Sequence, residues 1–314
     1  MKDNSKNRVE TMGIHEECGV FGIYDTGGNC AATTYYGLMA LQHRGQESCG
    51  IAANTDREIS CHKDMGTVSE VFDADILKAL GGKMAVGHVR YSTTGGSLRE
   101  NCQPFTMRYI KNKLAIAHNG NLVNARKLKN EYELSGAIFQ STSDTEVIAY
   151  AIARERLGCD SVENAIAKAM PKLIGAYSLI VMSARKLMAV RDPWGFRPLC
   201  IGKRNDAIIF ASESCAISAV GGPFIRDVEP GEIVVVEEGE MRSIKLGAEG
   251  NGHLCIFEHI YFARPDSVID GQSVHMARKR AGMLLAQEYP VEADVVIGVP
   301  DSGIDAALGY SEYS

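Results

Sequence analysis

The order in which patterns follow one another along this chain limits its fold more than any single motif does. Short apolar runs bounded by turn residues alternate with helical patterns, then give way to a series of strand-like runs. Seventeen residues, MKDNSKNRVETMGIHEE, form a polar, charged leader that ends abruptly at Cys18-Gly-Val-Phe-Gly-Ile-Tyr24, which reads as a buried strand. A helix is predicted over 33–43, carrying Tyr36, Leu38, Met39 and Leu41 and stopping at Gly45. Strands are predicted at 50–54, 84–90 and 114–118, and helices over about 122–135, 144–156 and 162–172. Ser143 and Asp144 offer capping side chains for the second of these helices, with Glu146 in its first turn. From 177 to 246 the pattern is strands alone, at 177–183, 187–191, 207–212, 232–236 and 241–246, with turns such as Asp192-Pro193 and Pro230-Gly231 between them. Strands, helices and a return to strands predict a layered α+β domain.

The style changes at Gly247–Gly252 (GAEGNG), which reads as a linker. Beyond it come a helix at about 274–288, a buried strand at Asp294-Val-Val-Ile-Gly-Val299, and Pro300-Asp-Ser-Gly303 opening another helix. That succession is how a parallel α/β domain begins. Two domains agree with a length of 314 residues, at roughly 150 residues per domain.

Composition removes several classes of function. The formal net charge of −6 shows none of the clustered positive charge that phosphate backbones require. No apolar run reaches the roughly 18 residues of a membrane-spanning helix, and the leader has no apolar h-region. The nine cysteines stand at 18, 30, 49, 61, 102, 159, 200, 215 and 255: an odd number, widely spaced, with no CxxC pair. Reduced thiols in a cytoplasm are the expectation, most of them acting as small buried hydrophobes.

Cys18 is the sharpest candidate for chemistry. A thiol needs a base or a lowered pKa to react near neutrality. Cleavage after Glu17 would give Cys18 its own α-amine, whose ordinary pKa of about 7.7–8.0 suits a general base. Four further stretches stand out. Gly87-His-Val-Arg-Tyr-Ser-Thr93 places Arg90 at a strand end, where it can hold a carboxylate in a fork, or simply form a surface ion pair. His118-Asn-Gly-Asn121 can supply a side-chain amide and a glycine N–H to an oxyanion, or be a plain turn. Ser141-Thr-Ser-Asp-Thr-Glu146 puts Asp144 at a helix start, as an ammonium acceptor or an N-cap. Gln42-His-Arg-Gly-Gln-Glu47 closes a helix.

Taken in this order, with Leu41-Gln-His-Arg-Gly-Gln-Glu-Ser48 and Ser143-Asp-Thr-Glu146, these stretches resemble the class II glutamine amidotransferases, and most closely their amidophosphoribosyltransferase family. Arg191-Asp-Pro-Trp-Gly-Phe-Arg-Pro198, Val228-Glu-Pro-Gly231, Ile260-Tyr-Phe-Ala-Arg-Pro-Asp-Ser267 and Gly298-Val-Pro-Asp-Ser302 extend the resemblance from Cys18 nearly to the end. It implies a four-layer αββα sandwich of N-terminal nucleophile hydrolases over 18–247, a propeptide at 1–17, and the first part of an α/β type I phosphoribosyltransferase domain over 253–314. It implies Cys18 as nucleophile, Asn119 and Gly120 as oxyanion hole, and Arg90 and Asp144 as holders of the glutamine α-carboxylate and α-ammonium, with Arg44 near that pocket.

For full-length members the resemblance further implies Cys255 as one ligand of a 4Fe–4S cluster and Ser302 in a magnesium–pyrophosphate loop. The implied reaction converts glutamine, phosphoribosyl pyrophosphate and water to phosphoribosylamine, glutamate and pyrophosphate in purine synthesis. The implied setting is a cytoplasmic homo-oligomer without nucleic-acid or membrane partners. Much of the transferase sheet and three of the cluster's cysteines are missing from this sequence, so the expectation for it is the glutaminase half-reaction, with neither metal group held stably. Two alternatives stand beside this reading: another class II amidotransferase, or a non-catalytic, aggregation-prone remnant.

Overall fold

The computed structural model describes residues 18–91, 97–109, 112–247 and 252–314. The leader 1–17, Ser92 and Thr93 of the arginine motif, and residues 248–251 of the expected linker lie outside the described residues. In chain order the first part contains β1 (Gly19–Tyr24), α1 (Cys30–Ala40), β2 (Ser48–Thr55), β3 (Glu58–Met65), α2 (Val68–Val71), α3 (Ala74–Leu80) and β4 (Met84–Arg90). There follow β5 (Phe105–Tyr109), β6 (Asn112–Leu122), α4 (Ala125–Leu134), α5 (Asp144–Leu157), α6 (Val162–Ala169), β7 (Gly175–Met182) and β8 (Lys186–Arg191). Next are β9 (Cys200–Arg204), β10 (Ala207–Ala211), α7 (Ser214–Ala219), β11 (Phe224–Asp227), β12 (Glu232–Glu237) and β13 (Glu240–Lys245). The last segment holds a short hairpin, β14 (Val268–Ile269) and β15 (Gln272–Ser273), then α8 (Val274–Glu288) and α9 (Gly303–Tyr313).

The strands form a seven-stranded sheet ordered β11-β9-β10-β1-β4-β2-β3 and a six-stranded sheet ordered β13-β12-β8-β7-β6-β5. Alternation along each strand sorts its side chains into layers. On β1, Phe21 and Ile23 join a core with α1 and α7, whereas Val20 and Tyr24 face the other sheet. On β6, Leu114 and Ile116 join a core with α5 and α6, whereas Ala115 and Ala117 face the first sheet. The architecture is therefore the expected αββα sandwich. The sheets approach closely, since a Cβ on Gly22 would lie 2.8 Å from Ile180 Cγ2.

The segment from residue 252 docks on the sandwich mainly through polar contacts. The backbone N–H groups of His253 and Cys255 donate to the carbonyls of Trp194 and Phe196. Arg191, buried at the end of β8, holds Asp270 in a two-bond fork at 2.8 and 2.9 Å. Its own apolar core is small, comprising Ala263, Ile269 and Val274 with Leu254 against them.

Several expectations need correction. The helix expected over 33–43 lies at 30–40, followed by a 3-10 turn at Gln42–Arg44. The helix expected from 122 begins at Ala125, because β6 runs through Leu122. The buried strand expected at Asp294–Val299 does not form: Val295, Ile297 and Val299 are 72%, 86% and 81% exposed. A strand is stabilised by a neighbour for its N–H and C=O groups, and no other strand pairs with this stretch among the described residues. In the same set, no helix is long and apolar enough to cross a membrane.

Asp227, at the end of β11, records the docking of the last segment. Burial, reinforced by the negative charge of Asp270 and opposed by Arg191, pushes its carboxyl up to about 6. The folded protein thus keeps a proton that the unfolded chain loses near 3.8, so this group lowers stability as pH rises from about 4 to about 6, and by a constant amount above that. Asp227→Asn should remove that slope and gain stability relative to wild type above pH 6. Denaturation midpoints measured across this range check it; parallel curves for the two proteins would contradict it.

Candidate functional site

Cys18 stands immediately before β1, and alternation places it with Val20 on the face toward the second sheet. The register Gly19↔Val89 sets it beside the end of β4, where its thiol donates to the Tyr91 carbonyl at 3.5 Å. Only 8% of the residue is exposed. Arg90, the last residue of β4, lies on the same face and is almost wholly buried, with the Glu47 carboxylate 3.7 Å away.

Across the layer, β6 faces β1 and β4. Asn119 on β6 is fully buried, yet neither its amide oxygen nor its amide nitrogen has a hydrogen-bond partner among the described residues. An unmatched buried amide costs about 1–3 kcal/mol, so natural proteins rarely keep one without a purpose. Gly120 follows at φ +146°, where a Cβ would come 2.1 Å from the Ala176 carbonyl. Only glycine fits there.

The backbone preceding this pair is held by side chains. Because β5 starts at Phe105, opposite Ile116, residue 118 has no strand neighbour on that edge. The Gln103 amide oxygen accepts from its N–H at 2.8 Å, and His88 Nε2 donates to its carbonyl at 3.0 Å. His88 belongs to β4, so this bond ties one sheet to the other. Burial forces its pKa down to about 3, so at neutral pH the ring is uncharged.

Asp144 opens α5 behind the N-cap Ser143. Its Oδ2 accepts from the Leu122 N–H at 2.9 Å, two residues beyond Gly120, and its Oδ1 lies 3.5 Å from His118 Nδ1. Burial would raise its pKa, but His118 and the N–H groups of Leu122 and Thr145 together hold it below the usual value. It is an ionised carboxylate close to Asn119 and Gly120 along the strand.

Arg44 is buried in the turn after α1 and gives its guanidinium to the protein. Nε donates to the Cys18 carbonyl at 3.0 Å, Nη1 to Glu213 at 2.6 Å, and Nη1 and Nη2 form a fork on Glu258, each at 2.9 Å. Burial works against both charges, but Arg44 and His43 hold Glu213 well below the usual carboxylate range. Arg44 also lines a cavity of about 500 Å³, together with Arg264, Arg278, Asp301, Ser302 and Asp305.

Cys18, Arg90, Asn119, Gly120 and Asp144 thus gather at one end of the inter-sheet layer and its rim. Ser302 lies apart from them, at the cavity behind Arg44. Cys255 is half-buried on the docking stretch after residue 252. A 4Fe–4S cluster takes four cysteine ligands, and among the described residues no three His, Cys, Asp or Glu are grouped to hold a metal. The described residues do not fit the cluster by themselves. Ser302, with Asp301 beside it, offers oxygen donors of the kind magnesium prefers, without a complete set. Gln103, Glu213 and Glu258 are functional candidates to which the sequence motifs assign no role, and His88 is one whose motif does not reveal its bond to residue 118.

A glutamine amidotransferase domain model matches residues 88–219. The chain is 49% identical over 313 residues to the amidophosphoribosyltransferase of Methanocaldococcus jannaschii, and 48% over 305 residues to that of Bacillus subtilis. These alignments cover 95% and 97% of this chain, but 66% and 63% of the relatives. The chain therefore spans about two thirds of the length of the curated relatives it matches. A solved B. subtilis glutamine phosphoribosylpyrophosphate amidotransferase, complexed with ADP and GMP, superposes with a TM-score of 0.89 at 47% identity, over 94% of this chain and 64% of that one.

Gly120→Ala should destabilise the protein by more than about 2 kcal/mol, since it adds left-handed strain to a clash with immovable backbone. Urea unfolding measures this, and an unchanged midpoint would contradict the close packing of β6 on β7.

Proposed function

Because this chain belongs to the amidophosphoribosyltransferase family, we propose that residues 18–247 form a glutaminase domain that releases ammonia from glutamine. The buried amide of Asn119, without a hydrogen-bond partner among the described residues and facing the layer that Cys18 enters, carries this reading. An oxyanion forming on an attacked amide would supply the partner that Asn119 lacks.

Arg90 holds the glutamine α-carboxylate and Asp144 its α-ammonium, which brings the side-chain amide to Cys18. The Cys18 thiol gives its proton to its own α-amine, the thiolate attacks the amide carbon, and Asn119 and Gly120 stabilise the negative charge on oxygen. Collapse of the adduct expels ammonia, which takes its proton from the protonated α-amine of Cys18. Water then cleaves the γ-glutamyl thioester, giving glutamate and regenerating the thiol. Arg44 takes no part in these bond changes and contacts the Cys18 carbonyl instead.

The amine exists only after residues 1–17 are removed as a propeptide, and this removal is part of the proposal. At the relatives' full length, the ammonia would displace pyrophosphate from phosphoribosyl pyrophosphate to give phosphoribosylamine. The segment 253–314, with Ser302 at its cavity, would belong to that half, with magnesium supplying charge neutralisation on pyrophosphate when bound. A cytoplasmic setting accords with nine cysteines among which no disulfide is formed.

Cys18→Ala should abolish glutamate release from glutamine, and Arg90→Lys should raise the KM for glutamine at least about tenfold through loss of the fork. Steady-state assays test both, and undiminished turnover by Cys18→Ala would refute the assignment. Intact-mass measurement of the active protein should find Cys18 at the N-terminus. A fully active chain still beginning at Met1 would exclude the amine as base.

A further inference from the structure

The Cys18 carbonyl accepts from Arg44 Nε at 3.0 Å, and that guanidinium is oriented from its other edge. Glu258 grips it in a planar fork, with both bonds at 2.9 Å, and Glu213 takes a third bond at 2.6 Å. All three side chains are fully buried, so water cannot replace a lost partner. Glu213 belongs to the sandwich. Glu258 does not: it comes from the segment that begins at residue 252, in a π-helical turn at Glu258–Phe262. Arg197 adds a contact to Glu258 at 3.4 Å.

We propose that Glu258 is a positioning residue for the glutaminase reaction, acting through Arg44 to fix the main chain, and hence the thiol and amine, of Cys18. This rests on the reading of Cys18 as nucleophile. It means that 18–247 contains the groups that react but not all of those that place them. A guanidinium is planar, so the fork on Glu258 sets the plane in which Nε points at the Cys18 carbonyl. Without the fork Arg44 keeps a charge partner in Glu213 but loses its fixed plane. Glutamine binding should be spared, because the Arg90 side chain faces Glu47 and the Asp144 carboxylate faces Leu122 and His118, outside the bonds that join Arg44 to Glu213 and Glu258.

The same segment is anchored a second time by Asp270 on Arg191, which makes no direct bond to Arg44 among the described residues and reaches Glu258 only through Arg197. That separate anchor provides the control. In the full chain, Glu258→Gln should lower kcat for glutamine hydrolysis at least about tenfold, as expected for a misplaced nucleophile, with KM within about twofold of wild type. Asp270→Asn should leave kcat unchanged, even if it lowers the melting temperature. Should Glu258→Gln fail to fold, Glu258→Asp decides: it retains the charge, is one methylene short of the fork, and should show the same kcat loss.

Unchanged kcat in the folded Glu258 variant, a loss confined to KM, or an equal kcat loss in Asp270→Asn would each overturn the proposal. Cys18→Ala is run alongside. If it still hydrolyses glutamine, the nucleophile assignment itself fails. If it is inactive while Glu258 variants behave as wild type, only the positioning role fails.

Discussion

Two antiparallel sheets packed face to face create the layer on which everything else in this protein depends. Over most of its area that layer is apolar and thin, filled by Val20, Val86, Ala115, Ala117 and Ile180, all fully buried. Gly22 permits the close approach. At one end the same strand faces turn polar without changing their alternation: Val20 gives way to Cys18, Val86 to His88 and Arg90, Ala117 to Asn119. The site is therefore not an insertion into the fold but the end of its core, where strand register dictates which side chains meet. Slipping β1 by one residue would turn Cys18 toward the helices.

Placing polar groups at the end of a core is costly unless each is satisfied, and around Asn119 the backbone and the loop ahead of Asp144 are satisfied by side chains. Residue 118 has both edge-facing backbone groups bonded to side chains. Glu146 accepts from the backbone N–H groups of Gln140 and Ser141 and from the Ser141 hydroxyl, which shapes the loop ahead of Asp144. In the midst of this the Asn119 amide has no hydrogen-bond partner among the described residues. Fully burying a large apolar side chain contributes about 1.5–3 kcal/mol, so the surrounding core readily offsets one such group.

What the sequence reveals follows the range of the interaction concerned. Strands buried on both faces, such as Gly19–Tyr24 and Met84–Arg90, read directly as apolar runs. β3 does not, because Glu58, His62, Lys63 and Asp64 line a half-exposed edge strand. The run Asp294–Val299 has a core strand's composition and lies in the open, since composition does not provide a partner. Cys18, Arg90, Asn119, Gly120 and Asp144 sit inside short motifs with a chemical logic of their own. Glu213 and Glu258 lie 169 and 214 residues from Arg44, and no local pattern marks an acid that pairs over such a separation. His88 lies within the motif at 87–93, but its role depends on a carbonyl of the opposite sheet.

That last class of contact also explains how the two parts of the chain are joined. The final segment has a small apolar core of its own, and it meets the sandwich through hydrogen bonds to Trp194, Phe196, Glu213 and Ser214 and through two arginine forks, Arg44–Glu258 and Arg191–Asp270. A buried ion pair contributes little net stability compared with apolar packing, because desolvation consumes most of its Coulomb energy. Its geometry, by contrast, tolerates few alternatives, as a fork accepts one orientation of two planes. An apolar interface would hold the segment more firmly but would let it slide. Joining the parts by forks exchanges strength of attachment for a defined angle, and at Arg44 that angle is transmitted by one further bond to the carbonyl of Cys18.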